Sequence, residues 1–182
     1  DAGPDLSGHV DALLAAIEGE TVSHLLVTHT HRDHSPATRY LKEVTGAKSY
    51  GFGPHGGGAP GDDVEEGADT DFTPDVTLKD GDIIRGAGWT LEALHTPGHT
   101  SNHLCFALAE ENVLFSGDHV MGWSTTVVSP PDGNMADYMA SLARLGQRAE
   151  KTFWPTHGPS IEDPAVFVAA LFAHREEREE QI

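Results

Sequence analysis

The stretch that most constrains this chain is "THTHRDHSP" at residues 28–36, which places three histidines and one aspartate within six positions. His29 and His31 stand two residues apart where the apolar run "HLLV" ends, and this spacing along a strand directs both side chains to the same side. Two imidazoles that share one cation need such an arrangement. Asp33 and His34 follow as the chain turns out of the strand, so they can face a second cation. The cluster therefore predicts a metal site at the end of a buried strand.

Three further loops carry residues of the same kind: His99 in "TPGHTS", Asp118 in "SGDH" and His157 in "PTHGP". Each follows an apolar run that predicts a strand, and loops at one edge of a sheet can converge although they lie far apart in sequence. We therefore expect two metal ions, with His29, His31 and His99 on the first, Asp33, His34 and His157 on the second, and Asp118 as the bridge.

Such a ligand set predicts a metal-dependent hydrolase that uses a di-zinc-bound hydroxide. Two zinc ions about 3.5–4 Å apart hold a bridging water and lower its pKa toward neutrality. The hydroxide would attack phosphorus or a carbonyl carbon, and Asp33 and Asp118 are the predicted catalytic residues that orient it and accept its proton. The histidine-rich set without thiolates favours two Zn²⁺ ions, although Mn²⁺ and Fe²⁺ suit similar ligands.

The order of predicted elements is that of an α/β (α+β) domain. Helical spacing of apolar residues predicts helices at 7–20, with Ser7 as its cap, at 35–45, at 134–150 and at 163–182. Apolar or alternating runs predict strands at 24–29 and 48–53, strand segments within 76–95, and a hairpin that turns at 110–112. Residues 53–75 are rich in Gly, Pro and acidic residues and predict a mobile loop, in which His55 is expected to be solvated.

Charge and cysteine content limit the partners of the chain. Its 182 residues suffice for one domain with a core, and its 29 acidic against 11 basic residues give a formal charge of −18. An acidic surface disfavours binding to nucleic-acid phosphates and to anionic membranes. One cysteine, Cys105, excludes an intrachain disulfide, and no apolar run approaches the ~18 residues that span a bilayer. We expect no membrane partner and a cytoplasmic location.

Taken together, the motifs resemble those of the metallo-β-lactamase-fold superfamily over the whole chain, residues 1–182. The resemblance implies one αββα sandwich with metals at one edge between two mixed sheets, and the seven ligands named above. It also implies that Asp1 of "DAGP" supports the histidine loop from behind. His103, in "TPGHTSNH", is expected either to hold Asp118 or its own loop, or simply to pack. Superfamily members place strands ahead of "DAGP", so we expect a fragment that is truncated at its N-terminal strands.

Within the superfamily, "VTLKDGDII", "TPGHTSNH", "LFSGDHVMG" and "PTHGP" resemble the β-lactamase-like protein two group, which includes an endoribonuclease. That resemblance implies single-stranded RNA or another phosphodiester as substrate and a C-terminal winged-helix-like domain beyond Ile182. The charge of −18 argues against RNA and for a small molecule. The alternatives are a glyoxalase II-like thioester hydrolase, a persulfide dioxygenase with one iron, and a non-catalytic, metal-stabilised binding module.

Residues outside the ligand set bear on which enzyme of this superfamily the chain resembles. Di-zinc β-lactamases of the common class use a cysteine ligand, whereas Cys105 lies inside an apolar strand and is expected to be packed. Diiron oxidoreductases of this fold usually have Glu where His31 stands. Trp89, Trp123 and Trp154 are expected to be core residues or walls of the site. The sequence leaves the oligomeric state open.

Overall fold

The computed structural model describes residues 1–56 and 67–179, which form two β-sheets and four helices. The first sheet contains β1 (His24–Leu26), β2 (Lys48–Gly51) and β3 (Val76–Thr77), all parallel and in that order. The second sheet contains β4 (Ile83–Gly86), β5 (Trp89–His95), β6 (Leu104–Leu108), β7 (Val113–Gly117) and β8 (Thr152–Pro155). Its first four strands are antiparallel neighbours, while β8 runs parallel to β7. Of the two sheets in the described residues, the second is therefore mixed and the first is parallel, which corrects the expectation for the first.

The helices cover the outer faces of the two sheets. They are α1 (Ser7–Ala16), α2 (Thr38–Thr45), α3 (Met135–Leu145) and α4 (Pro164–Glu179). Side chains alternate along β5 and β6, so Leu94 and Cys105 pack toward α3 and α4, while Ala93 and Leu104 join the core between the sheets. A third cluster packs α1 and α2 against β1. The layers are thus helix, sheet, sheet and helix, as the family resemblance implies, and Cys105 is fully buried in the core.

Several boundaries differ from the predicted ones for local reasons. The first helix ends at Ala16, and Gly19 adopts a left-handed φ of 83° where the prediction continued the helix. Ser7 is its first residue and not its cap. The second helix begins at Thr38, three residues later than predicted, but ends before Gly46, whose φ of 71° forms the expected left-handed C-cap.

The strand that leads to the histidine cluster changes sheets as it ends. After Leu26, the Val27 amide still donates to Tyr50 of the first sheet, at 2.9 Å. The carbonyl of the next residue, Thr28, accepts instead from the Leu104 amide of the second sheet, at 2.7 Å. The ladder of β1 therefore ends earlier than predicted, and the residues that follow lie at the seam between the two sheets.

The predicted mobile loop lies partly outside the described residues, at 57–66. Its described ends are bonded to the metal-site region: Asp69 donates its amide to Thr30, and Asn102 Nδ2 contacts the Pro54 carbonyl at 3.2 Å. The prediction of a solvated His55 is wrong, because its side chain is only 9% exposed. Its Nδ1 lies 3.1 Å from Thr30 Oγ1, which draws the ring toward the histidine cluster.

None of the helices within residues 1–56 and 67–179 has the length and apolar character that crossing a membrane requires.

Candidate metal centre

Four separate segments bring the predicted ligands to one place at the edge of the sandwich. Three of these ligands form a group we call the histidine triad: His29, His31 and His99. His29 Nε2 lies 3.0 Å from His31 Nδ1, and His99 Nε2 lies 3.1 Å from the same atom. Three buried imidazole nitrogens therefore surround a single point, although His99 is 68 residues from His31 in sequence.

The second group, which we call the open triad, consists of Asp33, His34 and His157. Asp33 Oδ2 lies 3.2 Å from His34 Nε2 and 3.1 Å from His157 Nε2. Asp33 occupies the turn before α2, and His157 occupies the loop after β8. This group also converges on one point, but two of its members reach solvent.

Asp118 lies between the two groups, just after β7. Its Oδ2 is 3.7 Å from His99 Nε2 and 4.0 Å from His29 Nε2 in the histidine triad. The same oxygen is 3.5 Å from His34 Nε2 and 3.6 Å from His157 Nε2 in the open triad. One carboxylate oxygen thus faces nitrogens of both groups, as a bridging ligand must.

Hydrogen bonds on the far side of the rings set which nitrogen faces the centre. His99 Nδ1 donates to the Val127 carbonyl at 2.6 Å, and His34 Nδ1 donates to Asp1 Oδ2 at 3.0 Å. The Thr28 hydroxyl donates to Asp1, so it accepts from His29 Nδ1, which is 2.9 Å away. All three rings then turn Nε2 toward the centre.

This arrangement fits bound cations better than it fits a metal-free core. A proton on His31 Nδ1 can point at only one of the two neighbouring Nε2 atoms, whereas a cation between the three nitrogens would satisfy all of them at once. His34 Nε2 is buried and has no hydrogen bond, although the carboxylates of Asp33 and Asp118 lie within 3.5 Å of it. Nitrogen and carboxylate oxygen donors of this kind suit zinc and related divalent metals.

The ionisation of the ligands favours the same conclusion. Burial, reinforced by the neighbouring histidines, lowers the pKa of His29 well below its usual value and that of His31 to about 3. Burial opposes charge on His34 and Asp118 too, but their contact with each other outweighs it: the pKa of His34 is raised to about 9, and that of Asp118 is held well below its usual range. In Asp33, contact with His34 likewise overcomes burial and lowers the pKa. At neutral pH, His29 and His31 are therefore neutral and Asp118 is ionised, the forms that bind metals, whereas His34 carries a proton that a cation in the open triad would displace.

Asp1 and His103 both lie directly behind the candidate ligands. Asp1, whose side chain is 8% exposed, contacts His34 of the open triad directly. It also accepts hydrogen bonds from the amide and hydroxyl of Thr28, and that hydroxyl contacts His29 of the histidine triad. His103 Nε2 accepts from the Asp118 amide at 3.1 Å, while its Nδ1 lies 2.8 Å from Thr96 Oγ1. The fully buried His103 therefore holds the Asp118 loop, one of the two expectations from the sequence.

Other supporting groups are not predicted from the sequence. The Thr156 hydroxyl donates to Asp118 Oδ1, and Thr126 Oγ1 donates to the Asp118 carbonyl at 2.6 Å. Thr156 lies inside the motif "PTHGP" and Thr126 lies eight residues after Asp118, but neither hydroxyl has a spacing that marks it as a supporting group. The Val127 carbonyl that binds His99 belongs to the backbone, so no side chain in the sequence signals it.

Two of the three tryptophans meet the expectation of core residues or walls of the site. Trp89 packs in the core between the sheets, whereas Trp154 is 51% exposed on β8. Trp123 is 71% exposed, and its ring lies nearly parallel to that of His157, with 6.1 Å between the centroids. Trp123 therefore forms a wall of the open triad.

Comparison with known proteins agrees with this geometry. The family model described as the metallo-beta-lactamase superfamily matches residues 1–157. A lactamase-like protein of Aspergillus niger is 31% identical over 191 residues, covering 100% of this chain and 52% of that protein. An atrochrysone carboxyl ACP thioesterase of Emericella nidulans is 29% identical over 188 residues, covering 100% of this chain and 54% of that protein. The chain spans about half the length of these curated relatives.

The same fold occurs in solved structures. The crystal structure of a metallo-beta-lactamase family protein from Thermus thermophilus superposes with a TM-score of 0.80 at 24% identity, covering 100% of this chain and 71% of that chain. This likeness shows the fold, and the family model, which matches most of the sequence, shows that the chain belongs to the metallo-beta-lactamase superfamily.

Proposed function

We propose that this chain is a two-metal hydrolase, with zinc as the first choice of metal and manganese or iron as alternatives. The observation that carries the proposal is the position of Asp118 Oδ2, within 4.0 Å of ligand nitrogens from both triads. The histidine triad would hold one cation and the open triad the other. A single-metal site would need only three or four of these seven residues.

A pair of divalent cations, when bound, lowers the pKa of coordinated water and polarises the oxygen of the substrate. The residues of the chain then divide the remaining work. Asp33, with its side chain 42% exposed, is the carboxylate that an entering water meets, and its second oxygen, Oδ1, would accept the proton of that water while Oδ2 holds the cation. Asp118 is 3% exposed in its side chain and fixes the spacing of the two groups, because Thr156, Thr126 and His103 hold its carboxylate and backbone.

For the substrate, we propose a thioester. Hydrolysis would form a bond from water oxygen to the carbonyl carbon and break the carbon–sulfur bond, with one water proton leaving on the thiol. The relative from Emericella nidulans is named as a thioesterase, and a neutral acyl carbonyl can approach a chain of charge −18 without the repulsion that a polyphosphate meets. The prediction of an RNA or phosphodiester substrate, from the resemblance to the endoribonuclease group, stays untested.

The test combines metal analysis with a substrate panel. Protein stripped of metal and reloaded with Zn²⁺ should bind two ions per chain and hydrolyse acyl thioesters, while stripped protein should not. Single-stranded RNA, a phosphodiester and a β-lactam are the comparison substrates. Preferred cleavage of RNA would favour the endoribonuclease alternative, and one iron per chain would favour the dioxygenase. Two bound metals without any turnover would support a binding module and contradict the proposal.

A further inference from the structure

Trp123 is the most exposed of the large apolar side chains that the structure describes, and it stands beside a candidate metal ligand. Its indole is 71% exposed, and its plane is tilted by only 17° from that of His157. A centroid separation of 6.1 Å falls within the range of offset aromatic stacking. One face of the indole thus faces the His157 ring, while most of the indole surface remains exposed to solvent beside the open triad.

The position of this indole is fixed by close contact between two loops. The Gly122 amide donates to the His157 carbonyl at 2.8 Å, and a Cβ on Gly122 would lie only 2.3 Å from the Pro159 carbonyl oxygen. Gly158 has a φ of 93°, and a Cβ there would lie 2.9 Å from the backbone nitrogen of Trp123. Only glycines permit this backbone approach. The sequence therefore keeps Trp123 beside His157 through backbone contacts.

The segment that carries Trp123 also reaches the histidine triad. Val127, four residues later and 46% exposed, accepts the hydrogen bond from His99 through its carbonyl. Between them, Thr126 binds the Asp118 carbonyl, and its own carbonyl accepts from Arg175 of α4. We call the pair of exposed apolar side chains, Trp123 and Val127, the apolar rim. Backbone hydrogen bonds attach both ends of the apolar rim to the candidate metal centre. A substrate held by the apolar rim therefore lies next to that centre.

We propose that Trp123 is a specificity-determining residue, which binds the acyl group of the substrate and favours an aromatic acyl group over an aliphatic one. This rests on the proposed thioester hydrolysis. An exposed indole offers apolar area and a π face but only one hydrogen-bond donor, so it suits the apolar part of a thioester better than a polar thiol arm. The reacting carbonyl must sit at the metal pair, and a ring attached to that carbonyl can reach the indole beside His157.

The first part of the test measures turnover. Wild-type, Trp123→Ala and Trp123→Phe proteins, each loaded with zinc, are assayed on naphthoyl and acetyl thioesters of one common thiol. Trp123→Ala should lower kcat/KM for the naphthoyl substrate about 10-fold, mainly through KM, and change the acetyl value less than about 2-fold. Trp123→Phe should retain most of the naphthoyl preference. Trp154→Ala, which removes another exposed indole next to Phe115 on the second sheet, should leave that preference unchanged.

Equal losses on both thioesters, or a lower metal content in Trp123→Ala, would mean that Trp123 only supports His157 and would overturn the proposal. The second part is independent of turnover: binding of 2-naphthoate, acetate and uridine monophosphate to the zinc-loaded proteins is measured by calorimetry. The proposal expects Trp123→Ala to weaken naphthoate selectively. If the wild-type protein cleaves no thioester, but Trp123→Ala still binds naphthoate selectively more weakly than wild type does, the proposed function fails while the aromatic subsite stands. A loss confined to uridine monophosphate would assign the indole to nucleobase stacking and overturn the acyl assignment.

Discussion

The histidine triad and the open triad use similar ligands but differ in their access to solvent. His29, His31 and His99 are 1%, 8% and 4% exposed. In the open triad, the side chains of Asp33 and His157 are 42% and 33% exposed, and only His34 is buried. One edge of the same centre is therefore closed by protein, while the other faces the medium.

The difference in solvent access follows from where each ligand lies relative to the seam between the two sheets. His29 and His31 follow β1 at the seam between the sheets, and His99 is fixed by the Val127 carbonyl. Asp33 and His157 occupy loops beyond that seam, and His157 lies beside the exposed Trp123. We infer that a metal in the histidine triad would exchange slowly, and that substrate would arrive from the side of the open triad.

Removing the group shared by both triads should have the largest effect. Asp118→Ala leaves two cations close together with less negative charge between them, and loss of a buried charge partner costs about 3–5 kcal/mol. We expect turnover to fall roughly 100- to 1,000-fold and metal content to drop below two ions per chain. Elemental analysis and steady-state kinetics check both, with Asp5→Asn as the control at an exposed carboxyl. Normal metal content and turnover would show that Asp118 does not link the triads.

The difference between the triads can be tested directly with one ligand from each. His31→Ala should abolish the slowly exchanging metal, whereas His157→Ala should keep one tightly held ion and lose the second. Each change should weaken its own ion more than about 100-fold, because loss of a ligand exceeds the 10- to 100-fold cost of an outer supporting group. Chelator-exchange kinetics resolve the two ions. Identical exchange profiles in the two variants would mean that solvent access does not distinguish the sites.

Asp1 supports both triads, so its replacement should affect them together. Asp1→Asn keeps the shape but removes the charge that accepts from Thr28 and contacts His34. We expect roughly 10- to 100-fold weaker affinity for both ions, measured by competition with a chromophoric chelator. An effect on only one ion would indicate that Asp1 serves a single triad.

The smallest effect is expected at Thr126, whose hydroxyl supports Asp118 only through its backbone carbonyl. Thr126→Val removes the hydroxyl that donates to the Asp118 carbonyl and should destabilise the zinc-loaded protein by about 1 kcal/mol. Thr126→Ser restores the donor and serves as the matched control. Thermal unfolding with and without zinc measures the change. If Ser and Val behave alike, packing rather than the hydroxyl accounts for the role of Thr126.

Sequence reasoning succeeded where residue type and spacing carry the chemistry. The two-residue step from His29 to His31 required a shared direction, and the structure places both rings around one point. The end of α2 at Gly46 was predictable because a left-handed cap favours glycine. The prediction for His55 was wrong, because a glycine- and acid-rich context predicts a solvated side chain, whereas contacts with Thr30 and Asp132 bury its ring.

The sequence by itself therefore determined the candidate ligand types and their division into two groups, because these depend on spacing and on the donor atoms that a metal accepts. The layered fold followed from the resemblance of its motifs to a known family. Only the tertiary structure decided which triad is closed and which is open, because exposure depends on how distant loops cover one another. It also placed Trp123 beside His157, through glycines in two loops whose close approach has no signature along the chain.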